Sequence, residues 1–219
     1  MVDGIRLKVC GLTNRADAEL AAGLGADFLG FILYPKSPRY VTTAAFRGIV
    51  RDLPGARKVA VTVEPTLDEL AVMNSAGFDF YQLHFRAEVP AETIAGWAAT
   101  VGHERLWLAP KLPPGIDVPA ALLPTTETFL LDTFDAEKFG GTGRTGDWEK
   151  FARHQRTHPE KTWILSGGLA PDNVAAALQS TGARFIDVNS GVESAPGVKD
   201  RAKLTALAYA VRSVAGPRR

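Results

Sequence analysis

Short apolar runs alternate along the chain with segments whose apolar residues recur at helical spacing. Ile5–Cys10 is the first run, and the segment 14–24 that follows has its apolar residues on one helical face and ends at Gly25. The pattern occurs eight times in all. The predicted strands are Ile5–Cys10, Phe28–Leu33, Lys58–Val63, Phe80–His84, Leu106–Ala109, Phe129–Asp132, Trp163–Leu165 and Phe185–Val188.

A predicted helix follows each predicted strand. The first begins at Thr13 or Asn14, and the second begins at Thr42 or Thr43 and ends near Asp52. The others are Leu67–Ser75, Ala91–Ala99, a short helix near Val118–Leu123, Trp148–His154, Asn173–Ser180 with Pro171 in its first turn, and Lys199–Val214. The proline-rich segment 110–124 makes the fifth unit the weakest of the eight.

Strict alternation of strands and helices is typical of a parallel sheet whose crossovers are helices. One strand, one helix and two loops take roughly 25–28 residues, so eight units would use nearly all 219 residues. We therefore predict an α/β fold, a (β/α)8 TIM barrel with a closed, parallel eight-stranded sheet. It would form a single domain over residues 1–219 with a frayed tail at 215–219. An open, doubly wound sheet is the structural alternative.

The charge balance and the single cysteine narrow the classes of partner and compartment. Lys and Arg number 25 against 24 Asp and Glu, whereas nucleic-acid and anionic-membrane surfaces need clustered positive charge. One cysteine can form neither an intramolecular disulfide nor a cysteine-based zinc site. The chain has no uncharged apolar stretch of 18 residues, and Met1–Lys8 has no apolar signal-peptide core. We expect a cytoplasmic protein with no metal, nucleic-acid or membrane partner.

In such a barrel the active site forms at the C-terminal ends of the strands. Polar or reactive side chains at these ends are Cys10, Ser37 with Arg39, Gln82, His84, Asp132, Ser166, Asp187, Asn189 and Ser190. From this set we expect Gln82, His84 and Asp187 to contact a substrate, although a structural, hydrogen-bonded histidine explains His84 equally well. Arg39 could bind a carboxylate, and a solvated surface arginine is its alternative interpretation.

Cys10 and Asp132 end the first and sixth predicted strands and could act as a base and an acid. Lys8 shares the parity of Cys10 along the strand, so both side chains should face the same way, and a nearby ammonium favours the thiolate. A carboxyl group at the barrel mouth can be desolvated, which raises its pKa and lets it donate a proton. A buried structural cysteine and a loop-capping aspartate are the plainer alternatives.

Two glycine-containing loops follow the seventh and eighth strands, where barrels of this type bind phosphate. Gly167-Gly168 and Ser190-Gly191 would let the backbone approach an anion closely and present N–H groups to it. Ordinary tight turns are the alternative. The segment 140–143, a third glycine-rich run, lacks the Gly-Lys-Ser/Thr ending of a P-loop and the spacing of a dinucleotide fingerprint.

In their order along the chain, these residues resemble the phosphoribosylanthranilate isomerase family of tryptophan biosynthesis. The similarity runs from the first strand to the last helix. The matching segments are Lys8–Thr13, Tyr34–Val41, Gln82–His84, Leu131–Thr133, Gly140–Thr145, Leu165–Leu169, Pro171–Val174, Asp187–Glu193 and Pro196–Asp200.

The resemblance implies a barrel that uses no cofactor and acts on a phosphorylated small molecule. The implied reaction is an Amadori rearrangement of N-(5-phosphoribosyl)anthranilate to 1-(2-carboxyphenylamino)-1-deoxyribulose 5-phosphate. It further implies Cys10 as general base, Asp132 as general acid and Arg39 as the partner of the anthranilate carboxylate. Gly167, Gly168, Ser190 and Gly191 would hold the phosphate. Phe85, Ala60, Thr62 and Gly146 depart from the family's usual residues, which puts the pocket wall in question.

Two other functions fit parts of the pattern. A non-catalytic barrel that binds a phosphorylated ligand would explain the glycine loops but neither Cys10 nor Asp132. Indole-glycerol-phosphate synthase, another phosphosugar barrel enzyme, would carry catalytic lysines at strand ends, and Lys111 lies near the end of the fifth strand. The sequence is compatible with a monomer or a homodimer.

Overall fold

The computed structural model describes residue 2 and residues 4–51, 53, 55–113, 115–132 and 147–215. Eight parallel strands form a closed barrel in which each strand pairs with its neighbours in chain order. They are β1 (Arg6–Val9), β2 (Phe28–Ile32), β3 (Arg57–Val63), β4 (Phe80–Arg86), β5 (Leu106–Lys111), β6 (Thr128–Leu131), β7 (Thr162–Leu165) and β8 (Phe185–Val188). The ring closes at β1, where Lys8 lies opposite Phe28 on one side and Asp187 on the other. The predicted (β/α)8 barrel is confirmed, and the open sheet is excluded.

Helices connect the strands on the outside of the barrel. They are α1 (Arg15–Gly23), α2 (Thr43–Val50), α3 (Leu67–Asn74), α4 (Ala91–Val101), α5 (Trp148–Thr157), α6 (Val174–Thr181) and α7 (Arg201–Ala215). Side-chain caps fix where several begin: Asn14 accepts a hydrogen bond from the Asp17 amide, and Thr42 accepts one from the Ala45 amide. In the described chain, none of the helices combines the length and the apolar character that a membrane span requires.

The fifth unit lacks the α-helix that the sequence predicted near Val118–Leu123. A 3₁₀ helix, Ala120–Thr125, stands there instead. Pro124 has no N–H group, so it cannot complete an α-helical hydrogen bond inside this segment. A second correction concerns Pro171, which lies in a turn ahead of α6 rather than in its first helical turn.

The last helix begins two residues later than predicted. Lys199 belongs to a short antiparallel hairpin formed by β9 (Glu193–Ala195) and β10 (Val198–Lys199). Asp200 then caps the helix, because its carboxylate accepts a hydrogen bond from the Lys203 amide at 3.0 Å. The helix α7 ends at Ala215, and the rest of the predicted frayed tail lies outside the described residues.

Aromatic side chains from the first residues of the strands fill the N-terminal half of the barrel interior. Phe28 stacks on Phe185 with ring centroids 5.0 Å apart and meets Trp107 edge-on at 5.1 Å, while Phe80 stacks on Trp107 at 5.0 Å. A second apolar layer, which includes the fully buried Trp97, lies between the strands and the helices. Since the N-terminal half is filled, a ligand can enter the barrel interior only at the C-terminal ends of the strands.

Candidate active site

A pocket opens at the C-terminal ends of the strands, which is where barrels of this type bind small molecules. Every residue that the sequence predicted as catalytic or substrate-binding lines this pocket. These residues are Cys10, Arg39, Gln82, His84, Asp132, Gly167, Gly168, Asp187, Ser190 and Gly191. Lys111 is absent from the lining. The barrel topology thus brings together residues from six of its strand ends or their loops.

Cys10 lies beside a buried ion pair. Lys8 Nζ donates to both carboxylate oxygens of Asp187 at 3.0 Å, and the two side chains are 0% and 5% exposed. Burial raises the pKa of the Cys10 thiol, and the Lys8 ammonium offsets this only in part. The expectation that Lys8 favours the thiolate is therefore right in direction, but burial outweighs it and the net shift is upward.

Arg39 is held in place by an acidic partner. Its Nε and Nη2 donate to the Glu193 carboxylate at 3.0 and 2.7 Å, and Lys199 Nζ donates to the same carboxylate at 2.8 Å. Burial alone would raise the pKa of Glu193, but the two cations hold it below its ordinary value. Because the Arg39 side chain is 11% exposed, the solvated-surface interpretation is wrong. Within the described residues its Nη1 makes no hydrogen bond, so this edge can bind a further carboxylate.

Gln82 and His84 contact one another on the pocket wall. The Nε2 atoms of the two side chains are 2.8 Å apart, so a donating Gln82 amide places the His84 proton on Nδ1. Burial and the nearby Lys8 charge lower the pKa of His84 to about 3, which keeps the ring neutral near pH 7. Gln82 Oε1 is buried and has no hydrogen-bond partner among the described residues.

The loops after β7 and β8 approach one another at backbone contact distance. Gly167 and Gly168 adopt φ angles of 95° and 62°, which favour glycine. A Cβ atom on Gly191 would lie only 2.1 Å from the Leu169 carbonyl oxygen. Asn173 fixes the first loop, because its side chain donates to the Gly168 carbonyl at 2.8 Å and accepts from the Ala170 amide at 2.9 Å. Glycine is thus required where the two predicted phosphate loops meet.

The described positions at which this chain differs from the family's usual residues lie in different layers of the barrel. Phe85 packs edge-on against Trp97 at 5.7 Å in the outer core, and Ala60 lies in that same layer. Of the three that the structure describes, Thr62 alone lines the pocket. Gly146 and the glycine-rich segment 140–143 lie outside the described residues.

Sequence reasoning missed two of the charged groups around the pocket, Glu193 and Lys199, and gave Lys8 only a passing role. All three are buried. A signal for the hairpin that carries Glu193 and Lys199 was present, since Pro196-Gly197 is a strong turn pair, and Gly197 has a φ of 81°. Across residues 2–132 and 147–215, as far as they are described, no group of three or more His, Cys, Asp or Glu side chains could hold a metal ion.

Comparison with known proteins identifies the family of this chain. The model of the N-(5'-phosphoribosyl)anthranilate isomerase family matches residues 7–209. The N-(5'-phosphoribosyl)anthranilate isomerase of Synechococcus elongatus is 36% identical over 213 residues, which cover 93% of this chain and 94% of that protein. Among solved structures, TrpF from Jonesia denitrificans has a TM-score of 0.77 and 36% identity, covering 98% of this chain and 100% of that one.

A phosphoribosyl anthranilate isomerase solved with reduced 1-(o-carboxyphenylamino)-1-deoxyribulose 5-phosphate has a TM-score of 0.74 and 29% identity. That match covers 95% of this chain and 99% of the other. The family match and the relatives each span nearly the whole chain. This chain belongs to the N-(5'-phosphoribosyl)anthranilate isomerase family.

Proposed function

We propose that the chain isomerises N-(5'-phosphoribosyl)anthranilate to 1-(o-carboxyphenylamino)-1-deoxyribulose 5-phosphate in tryptophan biosynthesis. The observation that carries the proposal is the single pocket in which Cys10 and Asp132 lie together with Arg39 and both glycine loops. Such a pocket offers an acid, a base, a cation for a carboxylate and backbone amides for a phosphate. A relative with this fold has been solved with the reduced product.

In the proposed mechanism Asp132 is the general acid. Its carboxyl group gives a proton to the furanose ring oxygen while the bond from that oxygen to C1′ breaks. The lone pair of the anthranilate nitrogen forms the C1′–N double bond, which yields an open-chain protonated Schiff base. The electrons come from the substrate's own nitrogen and the protonated ring oxygen accepts the pair from the broken bond, so the step needs no further reactant.

Cys10 is the proposed general base. Its thiolate removes the proton from C2′, and the electron pair moves through C1′ to neutralise the nitrogen, giving an enolamine. Loss of the hydroxyl proton at C2′ and gain of a proton at C1′ then produce the ketose. General acid and base steps of this kind typically contribute about 10²–10⁴-fold each.

The ends of the substrate would be fixed by charge and by backbone amides. We propose that the Arg39 edge that carries Nη1 binds the anthranilate carboxylate, and that Gly167, Gly168, Ser190 and Gly191 bind the phosphate. Holding both ends places the sugar between acid and base, which is an orientation effect.

Gln82, His84 and Asp187 are proposed to contact the sugar between these ends. Gln82 Oε1 is a buried acceptor that lines the pocket and lacks a partner in the described chain. A sugar hydroxyl donating to this oxygen would remove the cost of leaving it unsatisfied.

The test follows the fluorescence of phosphoribosylanthranilate with purified protein and no added cofactor or metal. We expect turnover by the natural chain, and Cys10→Ser and Asp132→Asn should each lower kcat by about 10²–10⁴-fold. Asp68→Asn, which removes an exposed carboxylate on α3, is the matched control and should leave kcat unchanged. A folded natural chain without turnover would refute the proposal, and retained ligand binding in that sample would favour the non-catalytic barrel.

A cytoplasmic location and a monomeric or homodimeric state stay predictions from the sequence. Sedimentation of the purified protein distinguishes a monomer of 23.5 kDa from its dimer.

A further inference from the structure

The proposed reaction assigns no task to Lys8, although it is the most deeply buried charge near the pocket. Its side chain is fully buried, and its ammonium bonds to Asp187 across the β1–β8 seam. Burying a lysine is costly unless the charge is paired. One pairing partner is present, yet a neutral apolar residue would fill the same space without that cost. This position therefore calls for an explanation beyond packing.

The Lys8 ammonium and the Cys10 sulfur both border the space that a side chain at position 30 would occupy. A Cβ atom on Gly30 of β2 would lie 2.9 Å from Cys10 Sγ and 3.0 Å from Lys8 Nζ. The two atoms are thus within the range, about 4–6 Å, over which an opposite charge stabilises an ionised group. Gly30 has an ordinary backbone conformation, so the missing side chain serves to make room for these two groups.

The other charged groups that face Cys10 act with different signs. Asp187 on β8 opposes a negative charge on the sulfur, and Lys199 on β10 supports one but is itself paired with Glu193. The ring of His84 on β4 lies near Lys8 and is neutral. Among the described residues, Lys8 therefore provides the strongest attraction for a thiolate at Cys10. Although burial opposes it, the neighbouring Asp187 and Cys10 raise the pKa of Lys8, so its charge persists at neutral pH.

We propose that Lys8 is a positioning residue for the isomerisation, which holds a permanent positive charge beside Cys10 and thereby stabilises the thiolate that removes the C2′ proton. Asp187 anchors the ammonium, and Gly30 provides the space for the contact. The role of Lys8 rests on the proposed function of Cys10 as the base. Lys8 keeps its proton throughout, so the proton from C2′ ends on the sulfur.

Alkylation of Cys10 measures this effect without any substrate. The rate of reaction with iodoacetamide follows the thiolate fraction, and Cys10 is the chain's sole cysteine, so the signal has one source. We expect Lys8→Met to raise the midpoint of the alkylation pH profile by about one unit or more. At a fixed pH below the midpoint, the rate should then fall about tenfold. Lys8→Arg keeps the charge and should restore a midpoint near that of the natural chain.

Lys58→Met is the matched control, because it removes one positive charge at the N-terminal end of β3, away from the pocket. Its alkylation profile should match that of the natural chain. If Lys8→Met fails to fold, the double variant Lys8→Met/Asp187→Asn removes both partners and leaves no unpaired buried charge. Its midpoint should also rise, since the attraction of Lys8 for the thiolate exceeds the repulsion by Asp187.

Gly30→Ala tests the contact without changing any charge. The added methyl group should separate the ammonium from the sulfur and raise the midpoint by less than Lys8→Met does. The matched glycine is Gly48 in α2, where a Cβ would meet open space, and Gly48→Ala should leave the profile unchanged.

An alkylation midpoint that stays the same in folded Lys8→Met, or in the double variant, would overturn the role of Lys8. A purely structural ion pair would lower the stability of Lys8→Met while leaving the midpoint of its folded fraction unchanged. The acid limb of the kcat/KM profile should move to higher pH together with the alkylation midpoint. If the natural chain shows no turnover but Lys8→Met still shifts the alkylation midpoint, the isomerase function is refuted. The electrostatic effect of Lys8 on Cys10 would then still stand.

Discussion

Replacing Glu193 by glutamine should destabilise the protein strongly while changing its shape very little. The Glu193 side chain is 4% exposed and pairs with Lys199, which is 0% exposed, and with Arg39, which is 11% exposed. An amide cannot balance these two cations. Glu193→Gln therefore leaves the buried Lys199 ammonium without its carboxylate partner.

The size of the expected destabilisation follows from the burial of Glu193 and its two cationic partners. Removing one partner of a buried ion pair typically costs about 3–5 kcal/mol in free energy of unfolding. In a chain of this length, each kcal/mol lowers Tm by roughly 2–4 °C, so Tm should fall by about 6–20 °C. The exposed pair of Arg15 and Glu19 on α1, 46% and 52% exposed, is the matched control, and Glu19→Gln should cost at most about 0.5 kcal/mol.

The pH dependence of the stability distinguishes the electrostatic contribution of Glu193 from its packing contribution. The pKa of Glu193 in the folded protein lies below its ordinary value of 4.5, so its stabilisation is fully present above 4.5 and is lost as pH falls through the folded-state value. Protonated glutamate closely resembles glutamine, so the natural chain and Glu193→Gln should converge in acid. Reversible guanidinium unfolding at neutral pH and at steps below pH 4.5 provides the assay. A stability difference that stays constant with pH would refute the electrostatic reasoning.

Three further predictions concern other parts of the barrel. Gly191→Ala would place a methyl group 2.1 Å from the Leu169 carbonyl oxygen and should cost about 1–3 kcal/mol or more in chemical unfolding. Trp97→Phe removes the hydrogen bond of the indole Nε1 to the Pro65 carbonyl at 2.9 Å, and circular dichroism of guanidinium unfolding should show a loss of about 1–3 kcal/mol. The lowered pKa of His84, about 3, predicts NMR ring signals that do not titrate between pH 5 and pH 8; a midpoint near 6.5 would contradict the buried, neutral ring.

The barrel could be predicted because the strands are buried on both faces and therefore form short, mostly apolar runs. The ends of these runs also placed Cys10 and Asp187 at the pocket, since the C-terminal ends of parallel strands share one edge. The fifth unit was harder, because prolines interrupt the helical spacing there and permit only a 3₁₀ helix. The start of α7 was misplaced because Lys199 precedes the capping Asp200 and has ordinary helix propensity.

The charge partners could not be predicted from any local pattern. Arg39 and Glu193 are 154 positions apart, and Lys8 and Asp187 are 179 positions apart. The distance between the partners of each pair depends on how the ring of strands closes. A single sequence does not show which distant residues will pair. The parity of Lys8 and Cys10 was predictable because both residues lie in one strand, whereas the balance between burial and charge at the sulfur depends on the packing of β2 and β8.

The hairpin of β9 and β10 joins the last part of the barrel to the first. Thr13 donates to the Gly197 carbonyl, and the Lys199 amide donates to Asp17, across 184 and 182 positions of the chain. A chain emerging from the ribosome can therefore make neither contact until about nine-tenths of it has been synthesised. Asp187 and Glu193, which pair with Lys8 and Arg39, belong to that same late stretch of the chain. The second glycine loop, after β8, belongs to it as well. Translation that stops before β8 yields a product with Cys10 and Lys8 but without Asp187, Glu193 and Lys199, so the pocket forms only on a nearly complete polypeptide.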